Sequence, residues 1–301
     1  MSMNTVKKIL IVLDVYHDFR DDPQHQPVET RKAIDFIGNR KEAQIYLVGC
    51  GFEEFLHDNY ANYGPQAIDQ RKQFLAEMEE RLAVFATALK DKGYNVDCRV
   101  HWTYPRYEQI ANEAIDLDVD LVVQHVHAQR AIERHNLSHD SWQLIKFCQK
   151  PLLLVKDQEW PEQPTIVAAV DPIHSQHKPL GLDYKIMDTA LSAKQSLGGN
   201  CHVLHAYSEK ARAFFGDGLL KEDHSKALQG LLANYKLPAE SIHLIDETPA
   251  KAILQCRKSF NADVVVLGAL SRSRLSEQII GNTANRVLDY VQSDLFIVRA
   301  E

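Results

Sequence analysis

Two apolar phrases in this chain each occur twice, and the repetition limits the fold more than any other feature. VDLVVQ (119–124) matches ADVVVL (262–267), and PLLLVKD (151–157) matches DLFIVRA (294–300). Leu121 to Val264 and Val155 to Val298 have one spacing, 143 residues. Two earlier runs also correspond: KKILIVLD closes at Asp14 and TIVAAVD at Asp171, 157 residues apart. The first copy is therefore longer in its middle. Duplication means that each copy builds the same elements and buries them in the same way. The 301 residues divide into domains 1–157 and 158–301, joined through the polar, proline-bearing KDQEWPEQPT (156–165).

Within each copy, short Val/Ile/Leu-rich runs alternate with helical patterns. Strands are expected near Lys8–Asp14, Gln44–Gly49, Asn95–Trp102, Asp120–Gln124 and Leu152–Val155, with helices near Val28–Arg40, within Pro65–Lys92, and at Tyr107–Leu117 and Asp140–Phe147. The second copy repeats the strands near Thr165–Val170, Cys201–Ala206, Ser241–Ile245, Val264–Leu267 and Leu295–Val298. Continuous apolar runs without polar alternation suit strands buried on both faces by crossover helices. Phe74, Leu75, Met78, Leu82, Phe85 and Leu89 form one apolar stripe on the long helix. The expected class is α/β: two tandem doubly wound domains, each a five-stranded parallel sheet. Such sheets bind ligands beyond the carboxyl ends of the strands, where strand order reverses.

Net charge is -7, which argues against sequence-independent binding to nucleic acid. No apolar stretch nears the roughly 20 residues of a membrane helix, and no export signal is evident, so the cytoplasm is the expected compartment. The five cysteines are odd in number and widely spaced. They are expected to be buried, reduced thiols rather than disulfides or zinc ligands.

The segment GALSRSRLSEQIIGNTAN (268–285) follows the fourth strand of the second copy. Gly268 stands where a buried strand is expected to turn and where backbone could approach a ligand. Gly281-Asn282-Thr283 opens a helix whose free amides, with the Ser271 and Thr283 hydroxyls, suit an anion. Arg272 and Arg274 add positive charge, and Asp171 lies opposite as a hydrogen-bond acceptor. The same residues also describe a turn and a capped helix with no ligand. Residue types alone leave both readings open.

The segment resembles the nucleotide-binding motif of the universal stress protein family, G-x-x-G-x9-G-[ST]. Here it reads Gly268-x-x-Ser271, nine residues, then Gly281-Asn282-Thr283, with serine at the second glycine position and Asn282 where a hydroxyl residue is usual. IVAAVD (166–171) and the terminal DLFIVR also match the family pattern, and the tandem copies resemble its two-domain members. The resemblance covers essentially the whole chain. It implies strand order 3-2-1-4-5, an adenine nucleotide alpha hydrolase-like fold, and two domains related by a pseudo-two-fold axis. It also implies a non-enzymatic role in the stress response. ATP with Mg²⁺, or a related adenine nucleotide, would sit at Asp171, Gly268, Ser271, Gly281, Asn282 and Thr283. Pairing of PLLLVK with DLFIVR inside one chain would give a monomer acting as its own pseudo-dimer. Protein partners are not indicated.

In the first copy, spacing 143 sets His125, Ala128, Ser138 and Asp140 at the positions of Gly268, Ser271, Gly281 and Thr283. An aspartate at the helix start repels phosphate, so no nucleotide is expected there. His125, His127, His135 and His139 lack the spacing and the cysteine partners of a zinc site, so no metal is expected. No GxxxxGK[ST] or GxSxG motif occurs, and neither the clustered Ser271, Ser273 and Ser276 nor His174 has an identifiable partner. No catalytic residue is expected. An alternative from another class is an interaction scaffold or a carrier of an apolar, lipid-like ligand. It is motivated by Phe52, Phe55, Tyr60 and Tyr63 in GFEEFLHDNYANYGP (51–65), read as a loop.

Overall fold

A computed structural model describes residues 6–14, 26–58, 60–126, 139–173, 179, 181–210, 221–269 and 292–300. The chain divides into two compact units, each with its own core.

The N-terminal unit orders its strands β3-β2-β1-β4, with β1 at Lys8–Leu13, β2 at Gln44–Gly51, β3 at Asn95–Trp102 and β4 at Leu121–His125. All of these pairs are parallel. Its helices are α1 (Val28–Ile37), α2 (Glu54–Asp58), α3 (Tyr60–Asp91), α4 (Arg106–Asp116) and α5 (His139–Phe147). β1 and β4 are buried almost throughout, as expected for a sheet covered on both faces.

The C-terminal unit contains β5 (Leu152–Val155), β6 (Thr165–Val170), β7 (Asn200–Tyr207), β8 (Ile242–Asp246), β9 (Val264–Ala269) and β10 (Asp294–Arg299). Its described helices are α6 (Gly181–Leu197), α7 (Lys221–Leu232) and α8 (Pro249–Phe260). The order β8-β7-β6-β9-β10 is the expected 3-2-1-4-5, all parallel. The fifth strand of the first repeat also lies in this unit. β5 pairs antiparallel with β10, Leu154 facing Leu295 and Leu152 facing Ile297. The connecting stretch is held as well: the Lys156 amide and the Trp160 indole both donate to Asp294, each at 2.8 Å.

Repeated contacts show why the repeated phrases are there. The Lys8 amide donates to Asp120 Oδ2 at 2.9 Å, and the Thr165 amide donates to Asp263 Oδ2 at 2.8 Å. The two aspartates also return their own amides to the carbonyls of Lys8 and Thr165. Two positions earlier, Asp118 (φ 48) and Asn261 (φ 49) take the same left-handed conformation after α4 and α8. Asn and Asp tolerate that conformation through local side-chain hydrogen bonds.

Several expectations need adjustment. α1 stops at Ile37, short of Arg40, because Gly38 turns away with φ 62 and ψ -135. The Arg40 guanidinium then caps the open end, donating to Phe36 O at 2.6 Å and Ile37 O at 2.7 Å. Gly64 breaks the helical path (φ 33), so the continuous part of α3 begins at Pro65, a residue suited to a first helical position. Glu54–Asp58, expected as loop, is a short helix. Cys50, Cys148, Cys201 and Cys256 are buried thiols, but Cys98 is exposed, on the edge strand β3 where its neighbours Asp97 and Arg99 are exposed as well.

Candidate functional site

Strand order reverses between β6 and β9, and Asp171 follows the last residue of β6. The Asp171 amide donates to Asp183 Oδ1 at 3.0 Å. Asp183 is buried in the first turn of α6, so one carboxylate fixes the backbone that carries the other. Asp171 itself is only partly exposed.

Two histidines that sequence reasoning left aside flank this point. His205 on β7 lies beside Val170, and its Nδ1 is 3.1 Å from the Val170 carbonyl oxygen. Its Nε2 is 2.8 Å from Nδ1 of His224 on α7. Burial pushes His205 below the ordinary imidazole pKa, against the Val170 hydrogen bond and the Asp171 charge, which raise it. Burial also lowers His224, again opposed by Asp171. On β7, residues 202 and 205 face opposite sides of the sheet. His202 makes its own imidazole pair with His243 on β8 (2.9 Å), and both rings stack on Phe260.

Gly268 lies within β9, opposite Val298, where a turn was expected. A Cβ at this position would come within 2.7 Å of Leu182 Cδ2, 2.8 Å of Leu182 Cγ and 3.1 Å of Ile186 Cδ1. The glycine lets α6 press onto the sheet, a packing reason that needs no ligand. Ser271, Arg272, Arg274, Gly281, Asn282, Thr283 and His174 lie outside the described residues.

At the corresponding place in the N-terminal unit, Asp14 follows β1. Arg106, the first residue of α4, reaches it with Nη1 at 3.3 Å and reaches Asp140 Oδ2 with Nε at 2.9 Å. Burial opposes the guanidinium charge, but Asp14 and Asp140 outweigh it and raise the Arg106 pKa. The aspartate expected to repel phosphate therefore has its own internal cation. Spacing 143 puts Pro249 at the matching position of the second copy, a residue with no charge to offer. Nearby Cys50 is pushed up to about 12, chiefly by burial, and is therefore a protonated packing thiol.

His125 is buried at the end of β4; His127 and His135, and the side chain of His139, lie outside the described residues. Among the described residues no three His, Cys, Asp or Glu groups are placed to hold a metal ion. Phe52 packs its ring against Trp102 (5.7 Å) and Tyr104 (5.3 Å), and Phe74 meets Trp102 edge-on. No described helix is long and apolar enough to cross a membrane.

Residues 165–299 match the model of the universal stress protein family. The chain is 26% identical over 223 residues to universal stress protein E of Photorhabdus laumondii, covering 70% of this chain and 71% of that protein. It is 25% identical over 221 residues to universal stress protein E of Escherichia coli K12, covering 69% and 70%. Among solved structures, a functionally unknown protein of Pseudomonas aeruginosa PAO1 superposes with a TM-score of 0.75 at 21% identity, covering 99% of this chain and 94% of that one. A universal stress protein of Archaeoglobus fulgidus superposes with a TM-score of 0.67 at 15% identity, covering 98% of each chain. These two likenesses bear on the fold.

Proposed function

We propose that the chain, whose residues 165–299 match the universal stress protein family model, is a cytoplasmic, non-enzymatic stress-response protein of that family whose C-terminal unit takes an adenine nucleotide. ATP with Mg²⁺ is the candidate ligand. The observation that carries this reading is the contrast between two equivalent carboxylates. Asp14 is tied to Arg106, whereas Asp171 stands at the strand-order reversal of a unit with Pro249 in place of that arginine.

The described donor set fits a nucleotide's neutral part. A carboxylate accepts hydrogen bonds from a ribose hydroxyl or a base amino group, and the buried Asp183 holds its backbone still. The phosphates fall to the sequence stretch that opens with Gly281-Asn282-Thr283, where helix-start amides and hydroxyls supply donors. Bound Mg²⁺ would screen the phosphate charge against Asp171. Within the first unit Arg106 is already neutralised by two carboxylates, so that half serves structure.

Calorimetry of the full chain with ATP and Mg²⁺, repeated on Asp171→Ala and Gly281→Asp, tests the reading. Binding that both substitutions weaken supports it. Absence of binding up to millimolar ATP removes it. The carrier alternative draws no support from the Phe52 region, because its described rings are packed on one another.

A further inference from the structure

We infer that His205 and His224 hold one shared proton beside Asp171, and that this proton couples the affinity of the crevice for a phosphate-bearing ligand to pH. The inference rests on the nucleotide reading above and adds its regulation.

The hydrogen-bond geometry fixes where the hydrogens must be. A carbonyl oxygen can only accept, so the contact to Val170 O requires a hydrogen on His205 Nδ1. Neutral His205 then has a bare Nε2, which can only accept. The 2.8 Å contact to His224 Nδ1 therefore requires that nitrogen to donate. Neutral His224 is left with its hydrogen inward and its Nε2 lone pair as the one basic nitrogen of the chain of rings. A first proton binds there without breaking any of these bonds. A second would set two N–H groups against each other across 2.8 Å, so the pair stores one proton.

The surroundings decide what that proton does. The charge of Asp171, at the end of β6, favours the charged forms of both rings, and Asp183 on α6 adds a smaller push on His205. Asp223, the neighbour of His224 on α7, acts on His224 in the same direction, while His224 opposes the charging of His205. Tyr207 lies against His224, ring centroids 5.6 Å apart. Burial keeps the pair uncharged at neutral pH. In that state the Asp171 carboxylate presents a negative field to an anion. Once His224 is protonated, the field is offset and an N–H replaces a lone pair. Anionic ligands gain from both changes, and by linkage their binding draws the proton in.

The test is ATP–Mg²⁺ affinity of the full chain between about pH 8 and about pH 5.5, for the native sequence and for His224→Gln, which keeps polarity but cannot take the proton. Affinity of the native chain is expected to tighten as pH falls, by no more than about tenfold per pH unit, the ceiling for one linked proton. In His224→Gln only the ligand's own phosphate titration should remain. Equal pH dependence in the two proteins overturns the inference and leaves the nucleotide reading intact. Absence of binding at every pH removes the nucleotide reading, and the inference with it. Nitrogen NMR of the imidazoles in the native chain is a second readout independent of the variant. It should find His224 protonated at Nδ1 and bare at Nε2 in the neutral form; a hydrogen on Nε2 in that form overturns the inference.

Discussion

Replacing Gly268 by alanine separates a glycine required by packing from one required by a ligand. The added methyl would lie 2.7 and 2.8 Å from two carbons of Leu182 and 3.1 Å from Ile186. Carbon atoms settle at about 3.5–4.0 Å, so Leu182 must retreat by about 1 Å. It has nowhere to go, because Leu182 and Ile186 are each only 1% exposed. Overpacking of this kind costs about 1–3 kcal/mol, of which the better strand propensity of alanine returns about 0.5–1 kcal/mol. Leu182→Ala alone leaves a cavity and costs about 2–5 kcal/mol. The double variant removes the clashing carbons and partly refills the space, so it should be more stable than the sum of the single effects by about 1–3 kcal/mol. Because two units need not unfold together, the readout is hydrogen exchange resolved to β6, β9 and α6 rather than one global melting temperature. Additive losses, or a Gly268→Ala chain as protected as the native one, would refute the packing argument. A silent substitution that abolished nucleotide binding would assign the glycine to the ligand instead.

Other substitutions probe the same framework. Gly199→Ala would drive a methyl to 2.0 Å from the Pro164 carbonyl oxygen, which cannot rotate away; a loss of about 3 kcal/mol or more is expected in urea unfolding. Asp263→Ala, at a buried anchor, should cost about 1–3 kcal/mol, and Asp120→Ala, at the equivalent but exposed anchor, should cost less. Arg106→Met removes the guanidinium that Asp14 and Asp140 share; because the cluster is partly exposed, a loss of about 1–3 kcal/mol is expected near neutrality, shrinking in acid as the carboxylates protonate. His202, His205, His224 and His243 all titrate below the ordinary imidazole pKa of about 6.5, mainly through burial. The unfolded chain therefore takes up these protons first: stability is complete above 6.5 and declines as pH falls below it, which urea midpoints across that window should record.

The repeats made most of the fold legible. Spacing 143 anticipated β4 with β9, and the structure extends it to the paired left-handed residues Asp118 and Asn261 and the anchors Asp120 and Asp263, because a duplicated chain repeats its backbone chemistry. Helix ends were less legible. The stop at Ile37 depends on Gly38 and on the side chain of Arg40 folding back, a contact that hydrophobic period does not encode. In the site, Asp171 was readable as the end of an apolar run, while Gly268 was misread as a turn because a glycine that ends a strand and one that admits a helix look alike in sequence. Arg106 escaped notice because its partners are 92 and 34 residues away. His205 and His224 escaped because neither belongs to a motif; only the fold brings β7 and α7 together.

Why one copy keeps a candidate crevice and the other does not can be argued from charge. A carboxylate at the end of the first strand is an acceptor with desolvation to offset, and each copy answers that requirement differently. In the N-terminal unit Arg106 supplies a permanent cation, and Asp140 at the start of α5 shares it, so two negative charges and one positive are satisfied without any ligand. In the C-terminal unit the matching position is Pro249, and among the described residues two imidazoles that burial keeps uncharged feel the charge of Asp171. A proton on His224, or a cation accompanying a ligand, adds positive charge there. Giving that unit an Arg106 equivalent by Pro249→Arg should close the question chemically. If an internal guanidinium is what retires a crevice, the substituted chain should fold, gain stability in its C-terminal unit and lose both ATP–Mg²⁺ binding and its pH dependence. Retained binding with the new arginine in place would show that charge satisfaction at the strand end is not what distinguishes the two halves.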